Sequence, residues 1–185
     1  MITQRDDEKF KELILYVAER SEGDANFGAT KLNKLLFYID FLAYLYHGKP
    51  ISGHEYQKLP YGPAPRQLLP IQCEMESNGE IAVRNCDFGG YCQNRILALR
   101  PADPNVFSTV EIDLVGKVIQ IFWNYSARAI SDQSHGLLLY ALMDEGETIP
   151  YEVALIGKRE MTDKEIEIGI ALEEEANYWR NRNAA

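Results

Sequence analysis

Three polar side chains recur at a spacing of seven in an otherwise apolar run. Asn33, Asp40 and His47 fall within LNKLLFYIDFLAYLYHG, residues 32–48. At about 100° per residue they lie nearly in line along one side of a helix, with Tyr44 beside them. A carboxylate on such a seam has three uses. It can be solvated or accept hydrogen bonds from loop amides, which is how buried carboxylates are satisfied. It can belong to a recognition surface. It can act as a general acid or base, which requires a second acid and a pocket.

Ser134 and His135, in ISDQSHGLL, have the side chains of a nucleophile and its base. Adjacent helical residues point about 100° apart, so the two cannot serve each other. No G-x-S-x-G elbow is present either. The simpler reading of His135 is packing on a helix or capping of a carbonyl. His47, His54, His135 and the three cysteines, Cys73, Cys86 and Cys92, show neither an H-E-x-x-H nor a CxxC spacing. No metal site is therefore expected, and the thiols read as reduced. The glycines of FGGY suit a hairpin turn, and no G-x-x-x-x-G-K-S/T phosphate loop occurs. The expectation is a protein that is not an enzyme and carries no cofactor and no metal.

The elements that must position these residues are mainly helical. Over 5–20, Phe10, Leu13, Ile14 and Val17 follow a helical apolar period, and SEGDANFGA then breaks it. A second helix is expected from about Thr30, as N-cap, to His47, with Gly48 and Pro50 ending it. Apolar in most directions, it belongs at the centre of the core. Lys31 and Lys34 fall in its first turn, where the helix dipole disfavours cations, so a carboxylate partner or solvent must hold them. KPISGHEYQKLPYGPAP reads as a loop with an extended piece near 55–59. Gly62 suits a tight turn there, and Pro63 suits the first turn of a third helix over about 64–77.

EIAVRNC and YCQNRILAL read as the strands of a hairpin. A long helix from about Ser108 to Tyr125 would place Val110, Leu114, Val118, Ile121, Phe122 and Tyr125 on one face. A short helix capped by Ser131 and a further helical segment follow. Thr162 and Glu165, at capping-box spacing, open a C-terminal helix over about 162–181. Its apolar stripe and its Glu173–Glu175 cluster fit either a docked helix with a solvated face or an arm that packs on a partner. The expected fold is mainly α (α+β): one domain over 1–185, a helical bundle around a central apolar helix, with one small β-hairpin.

Bulk composition narrows the function classes. With 46% apolar and 25% charged residues in 185, the chain can bury roughly 70% of its unfolded surface and needs no staple. A formal charge of −9 opposes phosphate-backbone binding, so no strong nucleic-acid signal is present. MITQRDDEKF lacks an apolar signal core, and no uncharged run of membrane-spanning length follows. The expectation is a cytoplasmic protein with no membrane partner.

The region KLNKLLFYIDFLAYLYHGKPISGHEYQKLPYGPAP resembles the N-terminal signature of the Panacea antitoxin domain family, which includes SocA-like and phage-associated proteins. The family pattern is a Lys-Leu-x-Lys-Leu-Leu-Phe/Tyr-Tyr helix followed by Asp-Phe, met here by Lys31 to Tyr38 with Asp40 and Phe41. A glycine then ends the helix, followed by Ile-Ser/Thr-Gly, a tyrosine and Gly-Pro, met by Gly48, Ile51, Ser52, Gly53, Tyr56, Gly62 and Pro63. The family's C-terminal Ser/Thr-His pair corresponds to Ser134 and His135. The resemblance covers about 7–145. One departure is that GLLLYALM follows the pair where the family often has a tryptophan, leaving Tyr140 as the nearby aromatic. The resemblance implies an antitoxin that neutralises a cognate protein toxin by contact, without a chemical step. It also implies two alternatives: an adaptor that hands a bound partner to a cytoplasmic protease, or a phage-associated interaction protein without a toxin. The partner surface expected on this basis comprises Asn33, Asp40, Tyr44, Tyr56, Tyr61, Gly62, Pro63 and His135.

Overall fold

The computed structural model describes residues 4–88, 91–130 and 143–155. Helix α1 spans Asp7–Arg20, and Asp6 caps it by accepting from the Lys9 amide at 2.9 Å. Phe10, Leu13, Ile14 and Val17 are buried, as their spacing predicts. Helix α2 spans Ala29–His47 and ends on Gly48 at φ +72°, a left-handed cap that glycine adopts without strain. Thr30 is not its N-cap. The first helical hydrogen bond closes from Leu32 N–H onto the Gly28 carbonyl at 2.9 Å, so Thr30 already lies inside the helix. Leu32, Leu35, Leu36, Phe37, Ile39, Phe41 and Ala43 are all buried. A helix that is greasy on nearly every side thus sits in the middle of the core.

The segment after α2 departs from expectation. Strands β1 (Tyr56–Gln57) and β2 (Ala64–Pro65) pair antiparallel, and β1 also pairs with a later strand, β5 (Thr148–Ile149). Pro63 therefore leads into a strand. Helix α3 begins only at Leu68 and runs to Ser77. Tyr56 and Ile149 fill the inner side of this small sheet. Next come the long hairpin strands β3 (Ile81–Phe88) and β4 (Tyr91–Ala98), in register from Ile81 opposite Ala98 to Phe88 opposite Tyr91. Ile81 and Ile96 enter the core. Arg100 fastens the hairpin's end to α1 by bonding Glu12 and Glu80 at 2.7 Å each.

Helix α4 spans Thr109–Ile121, opened by a capping box in which Ser108 and Glu111 bond reciprocally. It stops four residues before Tyr125. Phe122 is the C-cap, and Asn124 turns the chain at φ +64°. The core face is also rotated from the expected one: Val115, Val118, Ile119 and Phe122 are buried, whereas Val110 and Ile121 are 55% and 62% exposed. A further helical turn opens at 127, where the Ser126 hydroxyl accepts from Ala129 N–H at 3.1 Å. A 3-10 helix, Tyr151–Leu155, ends the described chain. The expectations for Ser131, Ser134, His135 and Tyr140, and for a helix over 162–181, lie outside the described residues. No helix among those described is long and apolar enough to cross a membrane.

Candidate partner-binding site

Asp40 is 0% exposed and holds the loop that follows α2. Its Oδ1 accepts from the Ile51 and Ser52 amides at 2.9 and 2.8 Å, and its Oδ2 accepts from the Ser52 hydroxyl and from the Tyr56 phenol at 2.8 Å. The Tyr56 oxygen is also 2.9 Å from the Leu36 carbonyl. A phenol carries one proton. Tyr56 therefore either donates to Asp40, or donates to Leu36 and receives from a protonated carboxyl. Burial raises the carboxyl above its ordinary value, opposed by these hydrogen bonds, and so favours the second arrangement as pH falls.

The loop gripped by Asp40 is tied to α1 as well. Asp6 N–H donates to the Ser52 carbonyl at 2.9 Å. Gly53 stands at φ +69°, and a side chain there would begin 2.5 Å from the Gln4 carbonyl oxygen, so only glycine fits. His54 is fully buried and stacks on Phe10 with ring centroids 3.9 Å apart. Its Nε2 lies 3.1 Å from Asp7 Oδ1, yet neither ring nitrogen makes a well-aligned hydrogen bond among the described residues. Desolvation lowers its pKa to about 4, with Arg5 pushing the same way and Asp7 opposing.

Tyr151 closes the other side. Its hydroxyl donates to the His54 carbonyl at 2.5 Å, and its ring packs tilted on Phe41 and stacked on Tyr44. Burial beside Asp40 raises its phenol above the ordinary value. Tyr44, at the rim, reaches the Glu152 carboxylate at 3.3 Å.

The two lysines at the head of α2 have opposite surroundings. Lys31 Nζ bonds the buried Asp24 carboxylate and the Phe122 and Tyr125 carbonyls at 2.8 and 2.9 Å. Its three donors are thereby satisfied, and its charge sits at the negative end of the α4 dipole. Lys34, equally buried, donates to the Pro63 carbonyl at 2.9 Å.

Of the residues selected from sequence, Asp40, Tyr56 and, through Tyr151, Tyr44 form one connected cluster. Asp40, Tyr56, Gly62 and Pro63 are buried beneath the surface. Asn33 is partly exposed, and its buried Oδ1 has no hydrogen-bond partner among the described residues. Tyr61 stands 79% exposed on the turn before β2. The spacing-seven seam is thus split: Asp40 lies buried under a loop, Asn33 is partly exposed, and the Tyr44 and His47 end reaches the surface. Sequence reasoning missed Tyr151 and Glu152, which no local pattern connects to α2. Among the described residues no group of three or more His, Cys, Asp or Glu side chains could hold a metal, and Cys73 and Cys86 are free thiols.

A family model described as antitoxin SocA-like, Panacea domain, matches residues 32–137, more than half of the chain. The match begins one residue after Lys31 and takes in Asp40, Ser52 and Tyr56, the β1–β2 turn and α4, while Tyr151 and Glu152 lie beyond it. No curated protein and no solved structure matches the chain.

Proposed function

The chain belongs to the family of SocA-like antitoxins built on the Panacea domain, and on that premise we propose that it neutralises a protein toxin in the cytoplasm by binding it, without a chemical step. The Asp40 cluster carries this reading. The Asp40 carboxyl is fully buried, and both its oxygens are engaged by the Ile51 and Ser52 amides, the Ser52 hydroxyl and the Tyr56 phenol. Such a group organises a scaffold and offers no free lone pair to a substrate. The side chains this scaffold presents outward, Tyr44 and Tyr61, are of a type common at protein interfaces.

The direct test is to induce the adjacent open reading frame with and without this protein, and to follow growth, co-purification and the half-life of the adjacent product. Growth arrest relieved by co-expression, with a complex of fixed stoichiometry, supports neutralisation by binding. A shortened half-life instead indicates an adaptor that delivers its partner to a protease. A harmless neighbour that does not co-purify contradicts the reading.

A further inference from the structure

The residues between β1 and β2, 58–63, form a turn held from three sides that carries an aromatic ring outward. Within the turn, Gly62 N–H donates to the Leu59 carbonyl at 2.8 Å, and Gly62 stands at φ +96°, which favours glycine. Pro60 and Pro63 fix the backbone on either side of Tyr61. On the β5 side, Lys58 N–H donates to Glu147 O at 3.0 Å, Gly146 N–H donates back to Lys58 O at 2.8 Å, and Lys58 Nζ reaches Met143 O at 2.7 Å. From the core, Lys34 Nζ donates to Pro63 O at 2.9 Å.

Lys34 is the anomaly. It is 1% exposed, and among the described residues the hydrogen bond from its ammonium goes to a neutral carbonyl. Lys31, one turn earlier, has a carboxylate. Burying an amine without a counter-charge costs stability, and here burial lowers its pKa to about 7. A side chain of this kind contributes little to the folding free energy and much to where Pro63 sits. Tyr61 follows from that placement: its side chain is 79% exposed on a backbone that is already ordered. An aromatic anchor fixed in advance loses little entropy on binding, and tyrosine is enriched among residues that dominate interface energies.

We propose that the 58–63 turn is the element that engages the protein partner, with Tyr61 as the anchor and Lys34 as the residue that positions it. The partner surface it fits is a pocket with apolar walls and a hydrogen-bonding group at its floor for the phenol. This rests on the toxin-binding reading above and deepens it.

The test uses the full chain and the purified product of the adjacent open reading frame. Affinity is measured by titration calorimetry and stability by melting. Tyr61→Ala is expected to weaken binding about tenfold or more with Tm unchanged, and Tyr61→Phe to weaken it less. Lys34→Met, which fills the same space without the charge, is expected to weaken binding about three- to tenfold by loosening the anchor. It should also speed hydrogen exchange at Gly62 N–H while leaving Tm equal or raised. Wild-type affinity in Tyr61→Ala, with loss instead in Tyr46→Ala in the groove between α2 and α4, overturns the proposal and leaves the antitoxin reading standing. Affinity lost by Lys34→Met only in step with a fallen Tm overturns the positioning role. No binding by the wild-type protein overturns the antitoxin reading, and this proposal with it.

Discussion

Asp40 accepts from the Ile51 and Ser52 amides and the Ser52 hydroxyl of the loop after α2 and lies 2.8 Å from the Tyr56 phenol, so its removal is a stability experiment before it is a binding one. Asp40→Ala leaves the Ile51 and Ser52 amides and the Ser52 hydroxyl without their buried acceptor, while the Tyr56 phenol keeps the Leu36 carbonyl. We expect a loss of roughly 3 kcal/mol or more, seen by calorimetry as a fall in Tm on the order of 10 °C. Unchanged melting with lost neutralisation would instead place Asp40 at the partner. His54 sets a pH dependence of definite sign. Its folded pKa, about 4, lies below the ordinary 6.5, so the unfolded chain takes up the proton first as pH falls. The associated stability is intact above pH 6.5 and lost down to about 4, on the order of 3 kcal/mol in all. Asp40 works in the opposite direction: its raised carboxyl stabilises at low pH and loses that contribution as pH rises through its folded value. His54→Phe, which keeps the stack on Phe10, should therefore flatten the fall in Tm between pH 6.5 and 4; an unchanged slope would assign that limb to other groups. The Asp40–loop contact was legible as one of three readings, because a carboxylate in an apolar helix must find donors. Tyr151 was not, since it reaches the cluster from more than a hundred residues away.

At the scale of elements, the ends of helices carry the long-range fastening. Lys31 ties the start of α2 to the Phe122 carbonyl that caps α4 and to the Tyr125 carbonyl just beyond it, with Asp24 as counter-ion. Lys31→Met strands a buried carboxylate and should cost roughly 3–5 kcal/mol in urea unfolding, much of it recovered by adding Asp24→Asn. A double variant no more stable than the single would mean that the carbonyl contacts, not the charge, hold the junction. Long periodic elements were readable from the chain: α1, α2 and the β3–β4 hairpin follow from the 3.6 and 2 residue periods. The three-stranded sheet was not, because strands of two residues carry no alternation and β5 lies far from β1 in sequence. Pro63 shows the same limit, since a proline fixes φ equally well before a helix or a strand. The α4 face was misread because the helix is apolar on more than one side, and only packing decides which side is covered.

That ambiguity has a consequence for the whole molecule. The outward residues of α4 and the end of α2 line a groove of about 620 Å³ that includes Leu42, Tyr46, Val110, Leu114 and Ile121. The turn that carries Tyr61, proposed above as the partner-engaging element, shares none of this groove's lining residues. The chain's formal charge of −9 opposes binding through a phosphate backbone. On the proposed reading, this protein acts by occupying another protein. The measurement that tests it most directly is co-expression with the adjacent open reading frame, read as growth and as a purified complex. Restored growth together with a stoichiometric complex, and an unshortened partner half-life, is the predicted result. Restored growth with no complex at any stage of purification would contradict it, because protection without contact requires chemistry or regulation that a binding scaffold does not supply.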